Sequence, residues 1–123
     1  MLTDTHCHLD FPEFDKDRDQ VIKRARDNGV DYIINIGSSL EGSRKSLELS
    51  KICDYIYATI GIHPHEADRF DQRVLYALEE LARKDKVVAI GEIGLDYYAE
   101  MAASRRDTSL RNYIRDKNYS KVD

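Results

Sequence analysis

The four histidines of this chain fall into two His-x-His units, His6/His8 and His63/His65. Side chains alternate between faces along an extended strand, so His6 and His8 share one face. Two imidazoles side by side can hold a metal ion, against the plainer alternative of two surface histidines. Asp4 and Asp10 frame the first pair, in Thr3-Asp4-Thr5-His6-Cys7-His8-Leu9-Asp10, and favour the metal. Pro64 splits the second pair. Its rings need not share a face, which leaves His63 and His65 as loop residues, substrate contacts or outer-shell partners. Glu92 is the one charged residue in the apolar run 87–95. A buried carboxylate without a partner is costly. Pairing with Lys86 or a nearby arginine would relieve that cost, but coordination of a cation accounts for the context better. Asp96 is open between a ligand, an orienting group and a turn residue. Cys7, between the histidines, faces the opposite side of the strand and reads as a core thiol.

Imidazole and carboxylate together suit Zn²⁺, Mn²⁺ or Fe²⁺ better than Ca²⁺. Such an ion makes water acidic enough to supply hydroxide near neutral pH, so hydrolysis is the reaction class this chemistry suggests.

The elements that must position these residues are legible from periodicity. Residues 2–9, 30–37, 55–62 and 87–94 are rich in β-branched or apolar side chains and are expected to be strands, the later three buried on both faces. Residues 16–28, 38–53 and 71–84 carry helical spacing; Asp15 or Asp17, Ser38-Ser39 and Gly29 supply start and stop signals. The order βαβαβαβ implies an α/β fold with a parallel sheet and right-handed crossovers. It is either an open doubly wound sheet or part of a TIM-type (β/α)₈ barrel. A whole barrel takes about 250 residues, so a chain of this size supplies about half of one. His6/His8, His63/His65 and Glu92 all fall at C-terminal strand ends, the edge that carries active sites in such folds. Residues 99–123 change character, with net charge +2 against −6 for residues 1–98. They form a separate tail, helical over 104–117 or disordered.

The whole chain of 123 residues has net charge −4, with 41% hydrophobic and 34% charged residues. That balance excludes a global basic face, so a polyanionic substrate must be held locally. Cys7 and Cys53 form no disulfide framework, which suits a reducing compartment. With neither a leader-like start nor an apolar stretch of about 18 residues, the expectation is a cytoplasmic protein without membrane contact.

Three segments, Thr5-His6-Cys7-His8-Leu9-Asp10, Gly61-Ile62-His63-Pro64-His65 and Gly91-Glu92-Ile93-Gly94-Leu95-Asp96-Tyr97-Tyr98, resemble the TatD-like metal-dependent deoxyribonucleases, which are amidohydrolase-type TIM barrels. The resemblance covers residues 1–98. It implies a distorted (β/α)₈ barrel that hydrolyses DNA phosphodiester bonds with two divalent ions, Zn²⁺, Mg²⁺ or Mn²⁺. His6 and His8 would bind the first ion, and Glu92 would bridge both as the catalytic carboxylate. His63, His65 and Asp96 would lie at the pocket as substrate-binding or outer-shell groups. The family places two more histidines and an aspartate on later strands, whereas no histidine follows His65 here. The expectation is therefore a truncated, N-terminal half-barrel, with open sheet edges available for self-association. Two other functions stay open: a non-catalytic remnant that binds a metal or partner chain, and a hydrolase of the same superfamily acting on a lactone, cyclic amide or phosphate ester.

Overall fold

A computed structural model describes residues 1–96. The chain divides into two compact units, Met1–Ile93 and Gly94–Asp123, and the fold set out below is that of the first. The helix expected over 104–117 lies outside the described residues.

Four strands alternate with three helices: β1 (Leu2–Cys7), α1 (Arg18–Asp27), β2 (Val30–Asn35), α2 (Leu40–Ile52), β3 (Ile56–Ile60), α3 (Gln72–Ala82) and β4 (Val87–Ile90). Two short 3₁₀ segments, Pro12–Phe14 and Pro64–Arg69, follow β1 and β3. Proline opens each, a position where its missing N–H costs nothing. Every strand pair is parallel, and the sheet order is β1-β2-β3-β4. A doubly wound sheet reverses direction from its first strands. Sequential order is that of barrel staves, and it selects the (β/α) barrel type over the open sheet.

Leu9, Ile22, Ile33 and Ile56 form a buried cluster between the sheet and its helices, with Val21 and Ala25 of α1 and Leu49 of α2 packed against it. Burial of both strand faces, expected for β2, β3 and β4, holds for β3 but not for β2 and β4. Ile33 and Asn35 of β2 are buried while Tyr32 is exposed, and Val88 and Ile90 of β4 are 50% and 59% exposed. Helices α1 and α2 cover one face of β2, and a run of apolar residues does not reveal on which face cover is missing.

Local chemistry sets the helix limits. Ser39 caps α2 by accepting the Gly42 N–H at 3.0 Å. Asp71 Oδ1 caps α3 by accepting from Arg73 and Val74 at 2.8 and 2.9 Å. Asp17 occupies the cap position of α1 without a side-chain bond, and Asp15 is drawn into an ion pair with Arg18. Gly29, at φ +88°, ends α1 in the left-handed region. The face α2 turns inward is rich in serine, and of its apolar residues Leu40, Leu47 and Ile52 only Leu47 is buried. Ser43, Ser46 and Ser50 are fully buried, Leu47 is buried, and Ile52 is 77% exposed. Small hydroxyl side chains let α2 approach the strands closely, and two of them bond the strand ends that carry the site.

A candidate metal centre at the strand ends

His6 and His8 arrive from β1 and the loop after it. His8 Nδ1 lies 3.1 Å from the carbonyl oxygen of Ile36. A carbonyl only accepts, so in the neutral ring Nδ1 carries the proton and Nε2 keeps its lone pair. Phe11 stacks on the same ring, with centroids 4.6 Å apart and planes at 20°. His6 Nε2 is 3.3 Å from His8 Nε2. Two nitrogens each about 2.05 Å from a tetrahedral ion stand about 3.3 Å apart, so this span is one that a single Zn²⁺-like ion would fill. Glu92 Oε2 is 3.8 Å from His8 Nε2. Donor atoms of His6, His8 and Glu92 all lie within 4.8 Å of one another. Two imidazoles and a carboxylate, so placed, fit a divalent transition-type ion.

Glu92 does not sit inside a strand. β4 ends at Ile90, and the chain then turns across the end of β3. Gly91 N–H donates to Ile60 O and Glu92 N–H to Gly37 O, both at 2.8 Å. Thr59 Oγ1 donates to Gly91 O at 2.7 Å. This crossing brings a carboxylate from the fourth strand to a histidine beside the first. It also explains Gly61, where a Cβ would stand 2.6 Å from the Gly91 carbonyl carbon and 2.7 Å from the Glu92 nitrogen. A Cβ on Gly91 itself would meet nothing within 4 Å. The backbone passes over Gly61, not the reverse.

His63 is held differently from His8. Its N–H donates to Ser38 O at 2.8 Å, and its Nδ1 accepts the His65 N–H at 3.1 Å. The neutral ring therefore carries its proton on Nε2, which lies 3.6 Å from Glu92 Oε1. His8 offers the Glu92 carboxylate region a lone pair, whereas His63 offers it a donor. The His65 ring stands 4.6 Å from that of His63 at 66°, on the 3₁₀ segment rather than on a shared strand face. Asp96 is half-buried and belongs to the second unit.

Cys7 faces away from the histidines, with its Sγ 3.7 Å from Ile34 O and 3.6 Å from Asn35 Oδ1. Burial, and then the Asp4 charge, push its thiol up to about 12, so it stays neutral beside the pair of imidazoles. Asn35, Phe11, Ser43 and Thr59 are the site-building residues that sequence reading did not single out. For Asn35 the signal was present. It is a lone amide among Ile33, Ile34 and Ile36, the same context that drew attention to Glu92.

Known proteins resemble this chain over most of its length. A model of the TatD related DNase family matches residues 3–115. The chain is 41% identical over 98 residues to the uncharacterised metal-dependent hydrolase YabD of Bacillus subtilis, covering 80% of this chain and 38% of that protein. It is 38% identical over 97 residues to the 3'-5' ssDNA/RNA exonuclease TatD of Pectobacterium carotovorum, covering 78% of this chain and 37% of that protein. The crystal structure of YjjV, a TatD homologue from Escherichia coli K12, superposes with a TM-score of 0.73 at 33% identity, over 94% of this chain and 44% of that one. The chain thus spans under two-fifths of the length of the curated relatives named here.

Proposed function

This chain belongs to the TatD related DNase family, and from that footing we propose that it is a metal-dependent hydrolase which cleaves phosphodiester bonds in single-stranded DNA. The observation that carries this is the convergence of His6 Nε2, His8 Nε2 and Glu92 within 4.8 Å, from opposite edges of the sheet. A divalent ion bound there would supply Lewis-acid polarisation of a phosphoryl oxygen and a more acidic water. Zn²⁺, Mg²⁺ and Mn²⁺ are the ions to test.

The chain's own residues have distinct tasks. Ile36 O and Phe11 orient His8, so its Nε2 faces His6 and Glu92. Glu92 turns Oε2 toward His8 and Oε1 toward His63, which supports the bridging, catalytic role the family resemblance gives it. His63, with its proton on Nε2, suits a hydrogen bond to a phosphoryl oxygen of substrate. His65 and Asp96 are assigned to substrate binding or the outer shell. A chain of net charge −4 has little general attraction for DNA, so grip on the backbone is concentrated at the ion and His63.

The test is cleavage of a labelled single-stranded DNA by the 123-residue chain with each ion, beside Glu92→Gln. The expected result is metal-dependent cleavage that the variant lacks. Parent activity no higher than that of Glu92→Gln would overturn the proposal.

A second function, a metal-binding chain that acts by pairing with another copy of itself, is favoured by one observation. Among the described residues β4 stands at one edge of the sheet and leaves Val88 and Ile90 half or more exposed, and an apolar edge recruits strands. Sedimentation of the parent chain decides it: a dimer is expected, and a monomer at all concentrations excludes it.

None of the described helices is long and apolar enough to cross a membrane. We place the protein in the cytoplasm, on the strength of its two free cysteines.

A further inference from the structure

Asn35 is the largest fully buried polar side chain of the described residues, at 0% exposed. It ends β2, opposite Cys7 of β1. At that pair the β1–β2 register stops, and the segment that carries His8 leaves the sheet. The Asn35 amide takes over where the strand pairing ends. Its Oδ1 accepts the Leu9 N–H at 2.5 Å and lies 3.6 Å from Cys7 Sγ, so it meets the residues on both sides of His8. Its Nδ2 donates to Asp10 Oδ1 at 2.8 Å and to Ser46 Oγ at 2.6 Å. The next residue completes the arrangement. Ile36 N–H donates to Cys7 O at 2.9 Å, and Ile36 O is the partner of His8 Nδ1.

We propose that Asn35 is a positioning residue for the His6–His8 pair. It pins the chain before and after His8, and the ring cannot swing off the Ile36 carbonyl. Ser46 of α2 fixes the amide in turn. A buried amide with all its partners met is rigid, and its removal leaves the Leu9 N–H and the buried Asp10 carboxylate, 5% exposed, short of a partner. The loop would then relax, and His8 Nε2 would lose its fixed direction toward His6 and Glu92. This inference rests on the assignment of His6, His8 and Glu92 as metal ligands.

The test uses the full chain with Co²⁺ as probe ion, followed by its visible absorption. Asn35→Ala is expected to weaken Co²⁺ binding about 10- to 100-fold, the usual effect of losing an outer-shell partner, and to shift the absorption band. Ile22→Val, in the same core but on α1, controls for lost stability and is expected to bind as the parent does. Parent-like affinity and spectrum in Asn35→Ala, or an equal loss in Ile22→Val, would overturn the inference. Should Asn35→Ala not fold, Ser46→Ala carries the same test with an expected loss of about threefold or more, and no loss overturns it. A parent chain that binds no Co²⁺ sinks the ligand assignment, yet long-range ¹H–¹⁵N spectra of the metal-free imidazoles still decide on Asn35. A single Nδ1–H tautomer at His8 that becomes mixed in Asn35→Ala upholds the positioning role, and an unchanged tautomer refutes it.

Discussion

The main-chain N–H of Glu92 donates to the carbonyl oxygen of Gly37 at 2.8 Å, tying the exit of β4 to the exit of β2 across the end of β3. Sheet order alone would leave Glu92, past the end of β4, separated from β1 by both β2 and β3. This one bond sets the carboxylate on the near side of β3, within 3.8 Å of His8.

Gly61→Ala tests the crossing. The new Cβ would meet Gly91 and Glu92 backbone atoms at 2.6–2.7 Å, and backbone cannot swing aside as a side chain does. A destabilisation of about 1–3 kcal/mol is expected, together with loss of metal affinity, because Glu92 is pushed away from His8. Gly91→Ala, which meets no neighbour within 4 Å, is the control. Calorimetric metal titration of both variants checks this, and equal affinities would show that the crossing does not place Glu92.

The opposite ring tautomers of His8 and His63 predict opposite behaviour on truncation. His8→Ala removes a lone pair and should weaken metal binding at least tenfold. His63→Ala removes a donor and should leave metal affinity within about twofold while lowering cleavage of DNA. Metal affinity measured on the two variants separates the roles, and a comparable loss in both would make His63 a ligand.

Cys7 gives a pH signature. Its folded thiol lies near 12 against an ordinary 9.0, so the folded state holds the proton more tightly. Between these values the unfolded chain ionises first, and stability falls as pH rises above about 9. Denaturant unfolding at pH 8 and about pH 10 should show a smaller decline for Cys7→Ala than for the parent. Equal declines would place Cys7 in water.

Burial separates the ends of β3 and β4. Ile60 is 1% exposed and Ile90 is 59% exposed, although both end apolar strands and pair with each other. Ile60→Asp buries an unpaired charge and should abolish folding. Ile90→Asp should lower the melting temperature by only a few degrees. Circular dichroism melts decide, and an unfolded Ile90→Asp would mean that β4 is covered in solution.

Much of this protein is set by local pattern. The alternation of β-branched runs with helical spacing determines a parallel α/β chain, and two His-x-His units and a lone glutamate at strand ends mark the chemistry. Those features depend on residue type and spacing, which are local and survive in one dimension. Tertiary structure alone decided the rest. The barrel-type order follows from strand neighbours, and the unequal roles of His8 and His63 follow from which backbone group meets each Nδ1. The place of Glu92 follows from Gly61, just past the end of β3. The function of Asn35 arises from bonds to Leu9, Asp10 and Ser46, contacts that exist only once β1, β2 and α2 have packed. A hydrogen bond selects a nitrogen or a direction by where its partner stands, and that position is a property of the assembled fold.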